Sequence, residues 1–276
     1  MKIKYFLIIP LLLLLIISCS RDQVPERMVQ NDPLVAKIAT AVLYPGAMPY
    51  HNAELMFYYT YDGNERLTKK IGGFLPVSGS TGLGGFFTDK IQTNLKYEND
   101  KVTVEDVSID PDFTIPKNIK YFKLNSSNLI LEKEIPHRSS AYWDKKQLYT
   151  YKNGMLDEIT TTLPNMPYDP TDPNDYIITY SEKFFYDGSK NLIRTEYFEL
   201  QNGVKNGEKI IRFFENYDNS YNPFKRFTLL DEYFYRSLSQ NNFRNYKEEK
   251  TESGITNVSQ QEWGFNYDTS GQIIIK

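Results

Sequence analysis

Residues 55–71 read Leu55-Met56-Phe57-Tyr58-Tyr59-Thr60-Tyr61-Asp62-Gly63-Asn64-Glu65-Arg66-Leu67-Thr68-Lys69-Lys70-Ile71, and this stretch decides the fold class. Apolar and aromatic side chains lead up to Tyr61, the turn residues Asp62-Gly63-Asn64 interrupt them, and a second run returns to Ile71. Asp and Gly both tolerate the positive φ angles of a tight turn, so Asp-Gly between two such runs is typical of a β-hairpin. The stretch therefore predicts two antiparallel strands joined by a short turn.

Five further stretches repeat this pattern of strand, turn rich in Asn, Asp, Ser or Gly, and returning strand. They span residues 91–104, 121–131, 148–159, 177–200 and 261–275. Strands that follow each other in sequence usually pair in space, and the 22 Tyr and 17 Phe of the chain favour strands. We therefore predict an all-β fold: an elongated antiparallel meander of β-hairpins in a twisted or curved sheet, with at most short helices.

Three segments fall outside this pattern. Residues 229–238 are the one clear helical candidate, and they are brief. Residues 72–85 and 163–175 are the longest predicted loops, since Gly, Ser, Pro and Asp dominate them. Neither loop has the length or composition of a domain linker.

The N-terminus carries the pattern of a secretory signal. Lys2 and Lys4 give a positive start, an apolar run from Tyr5 to Ile17 follows, and Ser18 precedes Cys19, the only cysteine. The run is shorter than the roughly 20 residues of a membrane-spanning helix. A small residue followed by cysteine resembles the bacterial lipoprotein signal, or lipobox. That resemblance implies cleavage before Cys19 and acylation of its thiol. The lipid would then attach the chain to the membrane, which is its expected partner. A simple secretory signal with a chance cysteine is the alternative, although an unpaired thiol is a liability in an exported chain.

These features divide the chain into three parts. We expect a signal peptide over residues 1–18, a lipidated N-terminus and flexible tether over residues 19–33, and a single β-hairpin-repeat domain over residues 34–276. Ser20, rather than aspartate, follows the cysteine, which predicts the outer membrane. Asp22 is the only acidic residue immediately after the lipidation site. We therefore expect the periplasmic face, with surface exposure left open.

Composition excludes some partners. Without residues 1–18 the chain loses two lysines and no acid, so 30 basic and 35 acidic residues leave a net charge of −5. A mildly acidic chain has no electrostatic reason to bind nucleic acid. The sequence also predicts no cofactor, and it leaves the oligomeric state open.

Several stretches resemble known β-rich proteins. Residues 59–67 resemble a YD repeat, the tyrosine-aspartate hairpin unit of Rhs-type proteins, and residues 186–188 and 267–271 echo it. A more specific order in the C-terminal third resembles uncharacterised β-rich envelope lipoproteins of the Bacteroidota. Its stretches are 217–224, 238–242 and 265–268. The resemblance implies an all-β meander in the envelope and carries no catalytic residues, because none are established for that family.

One loop is a weak candidate for a metal site. It gathers three carboxylates and one amide within seven residues, and Ca²⁺ prefers such oxygen ligands. The candidate ligands are Asp169, Asp172, Asn174 and Asp175. The EF-hand pattern fails here, and the prolines of the loop fit a rigid, solvated turn equally well.

Tyrosines in the predicted strands are weak candidates for a binding surface. Exposed rings could stack on sugars or anchor a protein partner, whereas cross-strand pairing that stabilises the sheet is the structural alternative. The candidates are Tyr58, Tyr149, Tyr151, Tyr180, Tyr186 and Tyr197. The acid pairs Glu132/Glu134 and Glu248/Glu249 could be glycosidase carboxylates, but their spacing favours solvated strand positions.

The sequence thus predicts a non-enzymatic, lipid-anchored envelope protein with a binding or structural role. Its partner would be an envelope protein or a glycan. A carrier or chaperone that holds lipid or lipoprotein in a cavity of the curved sheet is the first alternative, and a glycan-binding surface lipoprotein is the second. A glycan hydrolase would need two carboxylates about 5–10 Å apart in a cleft.

Overall fold

The computed structural model describes residues 34–79, 82–112, 114–137 and 143–276. The predicted signal peptide, Cys19 and the tether lie outside these ranges.

Within the described residues, fifteen strands form one sheet. They are β1 (Lys37–Ala39), β2 (Met48–Pro49), β3 (Met56–Tyr61), β4 (Leu67–Gly79), β5 (Gly82–Glu98), β6 (Lys101–Ser108), β7 (Asn118–Leu124), β8 (Ile130–Ile135), β9 (Lys145–Lys152), β10 (Met155–Thr162), β11 (Ile178–Tyr186), β12 (Leu192–Gln201), β13 (Val204–Tyr217), β14 (Phe243–Glu252) and β15 (Ile255–Glu262). Apart from β2, which pairs in parallel with β5, each strand is antiparallel to its neighbours in the order β1, then β3 to β15. The predicted all-β antiparallel meander is confirmed.

Local side-chain chemistry forms the hairpin turns. Asn153 and Gly154 have φ angles of 53° and 74°, the conformation of a two-residue turn that continues the twist of both strands. At Asp62 the carboxylate instead holds the turn, since Oδ1 accepts the backbone N–H groups of Asn64 and Arg66, both at 2.9 Å. The same i+2 and i+4 bonds recur at Asn125, Asp187 and Asp268. The aspartate of the YD-like stretches is therefore a turn cap.

A 25-residue connection between β13 and β14, residues 218–242, forms what we call the inner segment. It contains short 3₁₀ helices at Lys225–Phe227 and Asp231–Tyr233 and the single-turn helix α1 (Phe234–Ser237). A further 3₁₀ turn lies at Thr40–Val42. The short helix predicted within residues 229–238 is confirmed. Phe224, Phe227 and Tyr233 of this segment are completely buried.

The sheet curves around the inner segment. Tyr233 and Tyr59 of β3 share a hydrogen bond of 2.6 Å between their hydroxyls, while Tyr235 donates to Glu182 Oε1 of β11 at 2.9 Å. In a flat sheet β3 and β11 would lie about 38 Å apart, because neighbouring strands are about 4.8 Å apart. Tyr233 and Tyr235, which are two positions apart in sequence, contact both strands. The sheet must therefore curve around the inner segment.

The two ends of the sheet are bridged by chain outside the strands. In the described sheet β1 and β15 do not pair with each other. Ala39 N–H instead donates to the carbonyl of Ile275 at 2.8 Å, and Trp263 Nε1 donates to the carbonyl of Leu43 at 2.9 Å. The C-terminal tail therefore joins the first and last strands of the meander.

One sequence prediction about local structure is wrong, and another holds in shortened form. The predicted loop over residues 72–85 belongs mostly to β4 and β5. A Cβ on Gly72, whose φ is 109°, would lie 2.7 Å from the Phe87 ring, so this glycine permits close packing rather than a loop. The sixth predicted hairpin, residues 261–275, is shorter than predicted: around the Asp268 turn, Tyr267 and Ile273 form an antiparallel bridge, and Ile274 N–H donates to the carbonyl of Asn266 at 2.8 Å. The loop predicted over residues 163–175 is confirmed.

Candidate functional site

The interior contains an ionic layer, which we define as Lys70, Lys120, Lys133, Asp231 and Glu232. On β7 the alternation that directs Phe122 and Leu124 inward directs Lys120 inward too, and Lys70 of β4 and Lys133 of β8 are buried to the same extent, each only 8% exposed. Asp231 accepts Lys133 Nζ at 2.7 Å and Lys120 Nζ at 2.5 Å, while Glu232 accepts Lys70 Nζ. Three strands of the sheet thus bind two neighbouring acids of the inner segment.

Opposite charge controls the ionisation of Asp231. Burial would raise the pKa of this carboxyl group, but Lys133 and Lys120 reverse that effect and lower the pKa to about 2. The Asp231 side chain is half exposed while the lysine side chains are about nine-tenths buried. The carboxylate therefore stays charged and neutralises cations that water hardly reaches.

A cavity lies beside this layer, between β4 to β6 and the inner segment. Its volume is about 340 Å³. The apolar part of its lining includes Phe57, Phe74, Ile91, Ile115 and Pro116, and the polar part includes Lys70, Thr93, Asp106, Asn118 and Glu232. Apolar walls with a few convergent polar groups are the usual composition of a small-molecule site.

Neutral donors hold the second carboxylate of this cavity. Asp106 Oδ1 accepts Thr93 Oγ1 at 2.6 Å, and its Oδ2 accepts the side-chain amide of Asn118. Tyr44 lines the same cavity, and burial followed by the charge of Glu232 raises the pKa of its hydroxyl to about 12. Tyr44 therefore remains a neutral hydrogen-bond donor at physiological pH.

A second charged network fixes the inner segment on its other side. Arg212 of β13 donates to Glu182 Oε1 at 3.0 Å and to Glu248 Oε2 at 2.9 Å. Tyr235 and Tyr246 donate to the same two carboxylates at 2.9 and 2.7 Å. The donors converge on the acids from several elements, so this network positions the inner segment.

The acid pairs considered from sequence do not form a catalytic dyad. Glu248 belongs to the Arg212 network, whereas Glu249 pairs with Lys247 at 2.6 Å. Glu132 and Glu134 share Lys146, at 2.9 and 3.5 Å. Each pair is divided between cationic partners or shares one, as solvated and structural carboxylates do.

The C-terminal sequence stretches form the base of the inner segment. The backbone N–H of Asn242 donates to Asp218 Oδ1 at 3.0 Å, so residues at the two ends of the segment meet. Asn222, which is fully buried, donates to the carbonyls of Arg236 and Ser239 at 2.7 and 2.9 Å. Residues of the stretches 217–224 and 238–242 therefore close the inner segment at its base.

The six candidate tyrosines do not share one surface. Tyr149 is only 7% exposed and belongs to the core, so it cannot act as a stacking platform. Tyr186 packs against the core, and burial raises the pKa of its hydroxyl above the usual range. Tyr151 donates to the carbonyl of Ile130 at 2.9 Å.

The other three candidates are also engaged within the fold. Tyr58 donates to Glu54 at 2.5 Å at the protein surface. Tyr180 and Tyr197 stack on each other across β11 and β12, with ring centroids 5.5 Å apart. This diagonal contact is the cross-strand pairing that stabilises a sheet.

The carboxylates of the calcium candidate cap their own loop. Asp169 accepts from Thr171, Asp172 accepts the backbone N–H of Asn174, and Asp175 accepts those of Asp169 and Tyr176. Throughout the described residues, no group of three or more His, Cys, Asp or Glu side chains is placed to hold a metal ion.

Sequence reasoning missed the ionic layer and the Arg212 network. A local signal did exist at Lys120, which occupies the inward register of Phe122 and Leu124 in an otherwise apolar pattern. Its acidic partner could not be found in the same way, because Asp231 is 111 residues away in sequence.

Comparison with known proteins identifies no family. No family model matches the chain, and no curated protein matches it either. A porin-like protein from Bacteroides uniformis ATCC 8492 is similar at 12% identity and a TM-score of 0.43, with 79% of each chain covered. A porin-like protein from Bacteroides vulgatus ATCC 8482 is similar at 13% identity and a TM-score of 0.47, covering 80% of this chain and 86% of the other. Likeness at this level does not assign a function.

The described helices are short. None of those within the described residues meets the length and hydropathy that a transmembrane helix requires.

Proposed function

We propose that this protein is a non-enzymatic, lipid-anchored binding protein of the outer membrane, facing the periplasm. The observation that carries the binding role is the cavity of about 340 Å³ beside the ionic layer. That volume lies at the lower end of small-molecule sites. Its ligand is a small molecule with an apolar body and a polar group, which would meet the ring of Phe74 and the charged pair of Lys70 and Glu232. The protein would attach to the membrane through a lipid on Cys19.

The filled interior favours a small ligand over a whole lipid. Phe224, Phe227 and Tyr233 fill the space that the curved sheet encloses. A carrier of lipid or lipoprotein would need that space for acyl chains. The inner segment therefore supports the small-molecule role at the expense of the carrier role.

The cavity is tested by filling it. Ile115 lines the cavity from the segment before β7, so Ile115→Trp should occlude it at modest cost to the fold. Ile119→Trp is the matched control, because Ile119 alternates with the inward-facing Lys120 and faces away from the cavity. The full chain, extracted from its own membrane in a neutral detergent, would be examined by native mass spectrometry. We expect a small-molecule adduct in the wild type and in Ile119→Trp, and its loss in Ile115→Trp. A wild-type protein without adduct would contradict the proposal.

The anchor is tested independently. Cys19→Ala should move the protein from the membrane to the soluble fraction and abolish labelling by radioactive palmitate, whereas Ser18→Ala keeps a small residue before the cysteine and should change neither. Retention of both properties in Cys19→Ala would exclude lipidation. Protection from protease in intact cells, with digestion after the outer membrane is opened, would support the periplasmic face.

A further inference from the structure

A buried arginine of the inner segment forms no ion pair with any acid among the described residues. Arg236 in α1 is 5% exposed. Its Nη1 donates to the carbonyl of Phe243 at 3.0 Å, but its Nη2 is buried and has no hydrogen-bond partner among the described groups. The guanidinium lies over the rings of Phe243 and Trp263, 3.9 and 4.3 Å from their centroids.

This arrangement is unusual because a buried charge normally has a counter-charge. Desolvation of an ion is costly, and aromatic faces compensate only a part of that cost. Other buried or half-buried cations here have carboxylates: Lys120 and Lys133 bind Asp231, and Arg212 binds two glutamates. Desolvation by burial lowers the pKa of the Arg236 guanidinium to about 9. A ligand that brings a negative charge would supply the missing partner.

Arg236 lines a second cavity, which is separate in position from the proposed ligand site although Tyr44 and Glu232 border both. Its volume is about 210 Å³. Its apolar lining includes the rings of Phe214, Phe243 and Trp263. Glu232, the acidic group in this lining, is already paired with Lys70.

We propose that the second cavity binds a small organic carboxylate with an apolar body. The carboxylate would lie against the part of the Arg236 side chain that lines the cavity and supply its counter-charge, and the apolar body would pack on the rings of Phe214 and Trp263. The aromatic lining suits a monoanion with an apolar body better than a phosphate group, which needs several donors and has no apolar part. This site is additional to the proposed ligand cavity and does not depend on it.

The proposal is tested by titration calorimetry on the full chain in a neutral detergent. The probes are 3-phenylpropionate, its neutral amide 3-phenylpropanamide, and inorganic phosphate. We expect the carboxylate to bind at least about tenfold more tightly than the amide, since only the carboxylate supplies a counter-charge to the buried guanidinium. Phosphate should bind at least as weakly as the amide. No binding of the carboxylate, equal binding of acid and amide, or tighter binding of phosphate would overturn the proposal.

Two variants locate the site. Arg236→Met keeps the length of the side chain and should lower carboxylate affinity about tenfold or more. Gln261→Trp places a large ring at an exposed position that lines the cavity and should also abolish binding, without touching the arginine. Gln260→Trp is its matched control on the opposite face of β15 and should bind as the wild type does. If Arg236→Met does not fold, Gln261→Trp decides alone. Unchanged affinity in a folded Arg236→Met or in Gln261→Trp would overturn the proposal.

Discussion

Two ends of one short stretch, separated by a single helical turn, treat buried charge in opposite ways. At Asp231 and Glu232 the acids meet three lysines from the sheet. At Arg236 a cation meets aromatic rings and one carbonyl. The acid end joins distant strands through paired charges, so it holds the structure together. At the arginine end no described acid forms an ion pair with the cation, as we expect of a site that binds a negatively charged ligand.

Removing the acid should have the largest effect. Asp231→Asn leaves Lys120 and Lys133 without their carboxylate. We expect a loss of about 2–4 kcal/mol in the free energy of unfolding, below the top of the range for a broken buried pair because Asp231 itself reaches water. Urea denaturation followed by tryptophan fluorescence measures it.

A surface pair provides the control for this prediction. Lys96 and Glu98 form an ion pair at 2.6 Å, with side chains 75% and 63% exposed. Glu98→Gln should leave the free energy of unfolding nearly unchanged, because water and salt screen an exposed pair. Equal losses in Asp231→Asn and Glu98→Gln would show that the ionic layer does not hold the inner segment.

The hydroxyl pair between the two ends should have the next largest effect. Tyr59 and Tyr233 are 4% and 0% exposed and share a hydrogen bond of 2.6 Å. Tyr233→Phe leaves the Tyr59 hydroxyl buried and unsatisfied, which should cost about 1–3 kcal/mol. The double variant Tyr59→Phe/Tyr233→Phe should be less destabilised than the sum of the single variants, because it removes both polar groups. Additive losses in that double-mutant cycle would mean that the two hydroxyls are not coupled.

The comparison also shows what sequence could predict. The hairpins were predictable because their signals are local: Asp62 caps its turn through residues only two and four positions away. The ionic layer was not, because Asp231 meets Lys133 and Lys120 across 98 and 111 residues. Gly72 shows a second limit of prediction from sequence. The missing side chain of this glycine makes room for the Phe87 ring and does not indicate a flexible loop. The role of each candidate tyrosine likewise depended on the direction of its side chain, and the side chain of Tyr149 is directed inward.

Acid should weaken the acid end selectively. The pKa of Asp231 is about 2 in the folded protein, below the roughly 3.9 of an unfolded aspartate. A lowered folded pKa contributes stability that is present above the unfolded pKa and is lost as the pH falls through the folded value. The stability difference between wild type and Asp231→Asn should therefore be greatest above about pH 5 and shrink towards pH 2. Urea midpoints measured across that range test it, and a pH-independent difference would contradict this assignment of the charge.

The smallest effect is expected at the arginine end. Arg236→Met removes a charge that lacks a carboxylate and replaces it with an apolar chain among aromatic rings. Replacing poorly compensated buried charge with a well-packed apolar side chain is often neutral or stabilising, so we expect a change within about 1 kcal/mol in either direction. The lost bond to the Phe243 carbonyl opposes the relief of desolvation, which keeps the net change small. Urea denaturation without added carboxylate measures it. A loss as large as that of Asp231→Asn would mean that the arginine, like the lysines, is part of the scaffold, and the contrast between the two ends would disappear.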